Sequence, residues 1–243
     1  LGEAKMAFEN DPRTMNTAHA HAVHMDVGLR QYMLKVYNYM ASGIALTGIV
    51  AFAVSQSPEM MQAIFGTPLK WVVMLAPLGF VFFLSARINK IQAGTAQALF
   101  WVFAALMGAS LASVFIAFTG ESVTRVFFIT AASFAGLSLY GYSTKKDLSG
   151  FGSFLIMGLI GVIIASVVNI FLASSALQFV ISVVGVLVFA GLTAYDTQRI
   201  KAIYSAADSQ QTGDKKAIMG ALTLYLDFIN LFIMLLQLFG NRE

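Results

Sequence analysis

Ala217-Ile-Met-Gly-Ala-Leu-Thr-Leu-Tyr-Leu-Asp-Phe-Ile-Asn-Leu-Phe-Ile-Met-Leu-Leu-Gln-Leu-Phe239 carries a single charged side chain, Asp227, in a run that is otherwise apolar or uncharged. About 20 such residues are needed to cross roughly 30 Å of hydrocarbon as a helix. A carboxylate inside such a run costs about 2.5–3.5 kcal/mol on insertion scales, so a span that keeps one turns it toward a cavity, a partner or a permeation path. Gly220, Thr223, Asp227, Asn230 and Gln237 follow the helical repeat and share one face. That stripe is expected to meet protein, which puts the last helix at the centre of the bundle.

The rest of the chain has the same character. Of 243 residues, 58% are hydrophobic and 11% charged, where soluble domains run near 25% charged. Six further apolar runs are long enough to span, giving seven at roughly 36–55, 71–88, 97–119, 125–142, 151–173, 178–197 and 217–239. Barrel strands would instead be alternating segments of about 10 residues. The sequence therefore predicts an all-α integral membrane protein, a seven-transmembrane-helix bundle over residues 31–243 with the C-terminal helix central. Residues 1–30 are polar, carry Pro12 and lack the long apolar core of a signal peptide, and read as a flexible cytoplasmic tail. With no cysteine there is no disulfide and no thiolate metal site. The net charge of +3 is not gathered on one soluble face, so the expected partner is the lipid bilayer and not nucleic acid.

Topology follows from the loops. Lys5, Arg13, Arg30, Lys35, Arg87, Lys90, Lys145, Lys146, Arg199, Lys201, Lys215 and Lys216 fall on one side; Lys70, Arg125 and Arg242 fall on the other. By the positive-inside rule the N-terminus is cytoplasmic and the C-terminus outside. Tyr204–Gly213, between the sixth and seventh spans, reads as a flexible connector.

A second intramembrane carboxylate, Asp196, lies in Gly191-Leu-Thr-Ala-Tyr-Asp-Thr-Gln-Arg199 near the cytoplasmic end of the sixth span, on a face shared with Ser182, Gly185, Phe189 and Thr193. In the fifth span Gly158, Gly161, Ala165 and Asn169 share a side, and small residues let helices approach closely. Asp227 lies eleven residues after Lys216, about 16 Å along a helix. The two aspartates can meet if the seventh helix begins below the membrane surface, with Lys215 and Lys216 in a helical extension. Two carboxyls at hydrogen-bond distance are not both ionised cheaply, so a pair shares one proton. Two readings stay open: hydrogen bonds that only fix packing, or a pH-sensitive switch in which Asp196 and Asp227 are also the candidate cation ligands. Arg87, in Phe82-Phe-Leu-Ser-Ala-Arg-Ile-Asn-Lys90 at the same membrane side, either forks onto a carboxylate or snorkels to headgroups.

Other chemistries find little support. Leu-Tyr-Leu precedes Asp227 where an intramembrane aspartyl protease has Gly-x-Gly, and no proline follows Pro77 to give its Pro-Ala-Leu motif. No lysine lies between Ala217 and Arg242 to hold retinal. His19, His21 and His24 read as solvent-exposed side chains of the tail. No catalytic triad or resident metal or cofactor set appears, so an enzyme is not expected.

Gly28-Leu-Arg-Gln-Tyr-Met-Leu-Lys-Val-Tyr37, Leu137-Ser-Leu-Tyr-Gly-Tyr-Ser-Thr-Lys-Lys-Asp-Leu-Ser149, Met157-Gly-Leu-Ile-Gly161 and Leu224-Tyr-Leu-Asp-Phe-Ile-Asn-Leu-Phe232 resemble the Bax inhibitor-1, or transmembrane Bax-inhibitor-motif, family in its bacterial branch. The similarity covers roughly residues 28–240. It implies a multi-pass protein of the bacterial inner membrane, its C-terminus periplasmic, and a pH-sensitive leak for cations, calcium above all. It also implies three roles: Asp196 and Asp227 as pH sensor and gate, and Arg87 as the latch on the sixth-span carboxylate; Thr223, Asn230 and Gln237, from the stripe read above, are the supporting polar residues. Some bacterial members have an acid about three turns before the arginine; here Leu75-Ala-Pro-Leu78 stands there. Other members are associated with regulating membrane proteases, so a binding module acting through its cytoplasmic surface is the alternative.

Overall fold

Hydrocarbon offers no partner to a free amide or carbonyl, so a chain this apolar has to satisfy its backbone within each crossing. The computed structural model, which describes residues 12–242 with side chains from Val27 onward, does this with seven long helices and, among the described residues, no strand. The spans are Val27–Ser55, Leu69–Arg87, Ala93–Ala117, Gly120–Ser143, Ser149–Leu172, Ser175–Ala202 and Gln210–Phe239. Each expected span is present, with ends moved by a few residues up to about two turns. Caps set several of these ends: the hydroxyls of Thr119, Ser174 and Ser209 accept backbone N–H groups at the starts of the fourth, sixth and seventh spans. A short helix, Pro58–Phe65, was not foreseen.

The first span is the tail of a helix running Pro12–Ser55, so helical backbone crosses the expected boundary at residue 30. Tyr32, Met33 and Val36 are buried, which explains the early start. Residues 1–11 and the side chains of His19, His21 and His24 lie outside the described residues.

The seventh span is the axis of the bundle. Of its most apolar stretch 67% is buried, against 17–39% for the other six. It packs against the first, third, fourth and sixth spans, and helices in lipid associate through such packing because water does not drive them together. Tyr225 is buried on this axis, its ring edge-on to Phe100 and Phe103, and its hydroxyl 2.6 Å from Thr47. Thr47 donates its own proton to the Ala104 carbonyl, so Tyr225 is the donor to Thr47. Phe127 and Phe134 of the fourth span close edge-on against Phe228.

Two local expectations change. Gly161 faces outward; the buried stripe of the fifth span is Gly152, Leu155, Val162 and Asn169. The turn between the sixth and seventh spans is shorter than the expected connector and is pinned: Lys216 pairs with Asp208 at 2.6 Å, the Tyr204 ring lies 5.5 Å from that of Tyr32, and a Cβ on Gly28 would strike the Tyr204 hydroxyl. Lys35 of the first span reaches Asp214 of the seventh at 2.5 Å. The end of the bundle carrying Lys35, Arg199, Lys201 and Lys216 is called the basic end below.

Candidate functional site

The sixth and seventh spans run antiparallel, and small residues let them close on each other. A Cβ on Gly220 would stand 3.0 Å from Ile200, and one on Gly185 would press the Met234 thioether. In this register Asp196 and Asp227 face one another. Lys215 and Lys216 fall inside the seventh helix, as the depth argument required. Both aspartates are buried, at 8% and 5% exposure, and their carboxyl groups are close enough to act on each other across the seam.

A hydrogen bond between two carboxyls needs a proton, because an ionised carboxylate is only an acceptor. Asp227 Oδ2 is fully enclosed and receives no N–H or O–H from any other described residue. A proton held between the two carboxyls satisfies it; without one, two anions face each other in a space shut off from water. The neighbours do not step in. Thr193 and Thr197, flanking Asp196, spend their protons on the carbonyls of Phe189 and Thr193. Arg199, three residues further along the same helix, has an exposed side chain.

Arg87 is not brought to the pair. It lies exposed at the end of the second span and makes no ion pair or side-chain hydrogen bond among the described residues. The second span packs on the third span and on Pro58–Phe65, which leaves its end at the periphery. The latch contact is absent from this arrangement, and the snorkelling reading of Arg87 is the one its surroundings match. The polar stripe of the seventh span also divides. Thr223 and Asn230 donate to carbonyls of their own helix, Met219 and Leu226, and not to the acid pair.

Gln237 belongs to a second polar cluster, ten residues and about 15 Å from Asp227 along the helix. Its Oε1 accepts from Gln178 Nε2 at 2.5 Å and from Ser182 Oγ at 2.8 Å. Gln178 Oε1 accepts from Asn169 Nδ2 at 3.1 Å, and Asn169 Oδ1 takes the backbone N–H of Ser174 at 3.0 Å. The cluster ties the fifth, sixth and seventh spans together at the end opposite the basic end. Sequence reading placed Asn169, Ser182 and Gln237 on inward faces but missed Gln178, which lies in the first turn of its span where a glutamine is unremarkable.

A third chain of polar groups was also missed. Thr197 has already given its proton to Thr193, so Ser138 donates to Thr197 at 2.9 Å and Tyr37 donates to Ser138 at 2.7 Å. This ordered relay pins the first and fourth spans to the sixth beside Asp196. Among the described residues no group of three His, Cys, Asp or Glu side chains could hold a metal ion. Calcium takes six to eight oxygens, more than these two carboxyls supply.

The chain matches the family model described as inhibitor of apoptosis-promoting Bax1 over residues 29–243. It is 49% identical to an uncharacterized protein of Rickettsia prowazekii over 90% of this chain and 92% of that one. It is also 47% identical to the inner membrane protein YbhL of Escherichia coli, over 89% and 94%.

Proposed function

The chain belongs to the Bax inhibitor-1 family of membrane proteins, and from that premise we propose that it is a pH-sensitive cation leak of the bacterial inner membrane, with calcium the favoured ion and the Asp196–Asp227 pair its gate. One observation carries the reading: two buried carboxyls from consecutive spans meet at the seam of the bundle, and Asp227 Oδ2 has no other described donor. With the proton in place the pair draws the sixth and seventh spans together. Its loss leaves two charges that, about 4 Å apart at an effective dielectric near 20, repel by about 4 kcal/mol. That is enough to shift a closed state toward an open one, and the freed carboxylate oxygens are the hard ligands calcium prefers. The sign follows: the closed pair is held at low pH and lost as pH rises, so flux rises with pH.

The same reading places the basic end and the N-terminus in the cytoplasm and the C-terminus in the periplasm, on the twelve-to-three division of basic residues. The inner-membrane relative agrees with that compartment.

The test is calcium flux into vesicles containing the purified protein alone, across a pH series. Asp227→Asn keeps size and hydrogen bonding but removes the titrating site, and should flatten the pH dependence. A folded Asp227→Asn protein that follows the parent at every pH would sink the gate. A parent protein that carries no ion in isolation would favour a regulatory partner of a membrane protease.

A further inference from the structure

The first and fourth spans both pack on the seventh and leave a groove between them. Its part nearer the basic end encloses about 750 Å³, with Phe228 as floor and Ala41 and Ala135 among its walls. Cavities that hold small ligands run from about 300 to 1,000 Å³. The lining is almost entirely apolar. Its two buried hydroxyls, Tyr37 and Ser138, are already committed to the relay toward Thr197.

The groove has a length and a charged end. From Arg30 to Ala45, both of which line it, are fifteen residues, or about 22 Å of helix at 1.5 Å each. One leaflet of a bilayer, headgroup included, is about 20–22 Å, half of a total of 40–45 Å. Arg30 stands at the basic end of the groove. Tyr142 lines the same end, and the Lys201 ammonium lies 4.9 Å from its ring and donates to its carbonyl at 2.8 Å. Toward the opposite end the groove continues into a second cavity of about 720 Å³ that shares Ile44, Phe127 and Phe228 and has no basic residue in its wall.

We propose that the groove between the first and fourth spans is a binding site for one anionic phospholipid of the leaflet at the basic end. Its phosphate lies between Arg30 and Lys201, and an acyl chain runs between Ala41 and Ala135 onto Phe228. A zwitterionic lipid would fill the same apolar slot but gain less from the two cations. A basic side chain at an anionic surface contributes about 1 kcal/mol, or roughly fivefold in binding. Because Phe228 follows Asp227 directly, the bound chain rests on the helix that carries one half of the acid pair. The binding itself does not depend on the protein being a leak.

The test uses spin-labelled phosphatidylglycerol and phosphatidylcholine, each as a trace in phosphatidylcholine vesicles containing the full chain, with the motionally restricted fraction as the readout. Phosphatidylglycerol should be held several-fold more strongly. Arg30→Gln should weaken it roughly fivefold while leaving phosphatidylcholine unchanged, and Lys90→Gln, in a loop away from the groove, should change neither. Ala135→Phe and Ala41→Phe, both at exposed groove positions, should displace both lipids with helical circular dichroism intact. Equal retention of the two lipids in the parent would overturn the proposal, as would full retention in both filled variants. The chain has no cysteine of its own, so Ala41→Cys also reports a rival occupant: near-complete disulfide dimerisation in vesicles would assign the groove to a second copy of the protein.

Discussion

Two polar sites lie on the same seam between the sixth and seventh spans, and they are built on opposite principles. At the end opposite the basic end, Asn169, Gln178, Ser182 and Gln237 supply both donors and acceptors, so they bond one another and the adjacent backbone. Nearer the basic end, Asp196 and Asp227 supply acceptors and depend on a proton from outside. Amides and hydroxyls keep their bonding capacity at every ordinary pH; carboxyls change theirs on losing a proton. One site is therefore permanent and the other conditional, within about 15 Å on a single helix.

The sharpest way to break this contrast is to remove titration from the conditional site altogether. Asp196→Asn should abolish most of the pH response of calcium flux just as Asp227→Asn does, and the double variant should add little to either. Residues acting as one unit are non-additive in this way. Two independent, additive losses in the flux series would mean the carboxyls work separately.

A smaller effect is expected at the permanent site. Gln237→Leu leaves the proton of Gln178 Nε2 without its acceptor, while Ser182 Oγ keeps the Gln178 carbonyl, and should lower stability by about 1 kcal/mol, read as a lower midpoint in a denaturation series. Its flux should keep the parent's pH profile. A profile shifted along the pH axis would show that the two sites are not separable.

Least change is expected at Arg87. Exposed and unpaired among the described residues, it should tolerate Arg87→Ala with less than about 0.5 kcal/mol lost and unchanged basal flux at neutral pH. A clear rise in flux would reinstate the latch and require the second span to swing toward Asp196.

What could be read from the sequence followed the cost of burying each group. Asp196 and Asp227 stood out because a carboxylate in hydrocarbon is expensive enough to demand a reason, and the central position of the seventh span followed from the stripe around Asp227. Arg87 stayed open between two readings because a latch and a headgroup anchor call for the same residue at the same depth; the packing of the second span leaves it out of reach of Asp196 in this arrangement. Thr223 and Asn230 misled for a different reason: such side chains can satisfy themselves on the preceding turn of their own helix, so a shared face does not establish a shared site. Serines and threonines are common enough in spans that Thr47, Ser138 and Thr197 gave no signal before their partners were in place. On the fifth span Gly158, Ala165 and Asn169 do face protein; only Gly161 was misplaced, and Gly152 against the Tyr195 ring marks the closer contact.

The amide cluster has a mechanical consequence. Anchored at Gln237, the seventh helix is a lever with its fulcrum at one end and its free arm at the other. A tilt of about 5° about that anchor would move Asp227 by roughly 1 Å and Asp214, twenty-three residues away, by roughly 3 Å at about 1.5 Å per residue. A displacement just sufficient to part the two carboxyls would be more than doubled where Lys35 holds Asp214, turning a shift the size of a hydrogen bond's tolerance into the parting of an ion pair at the mouth of the bundle.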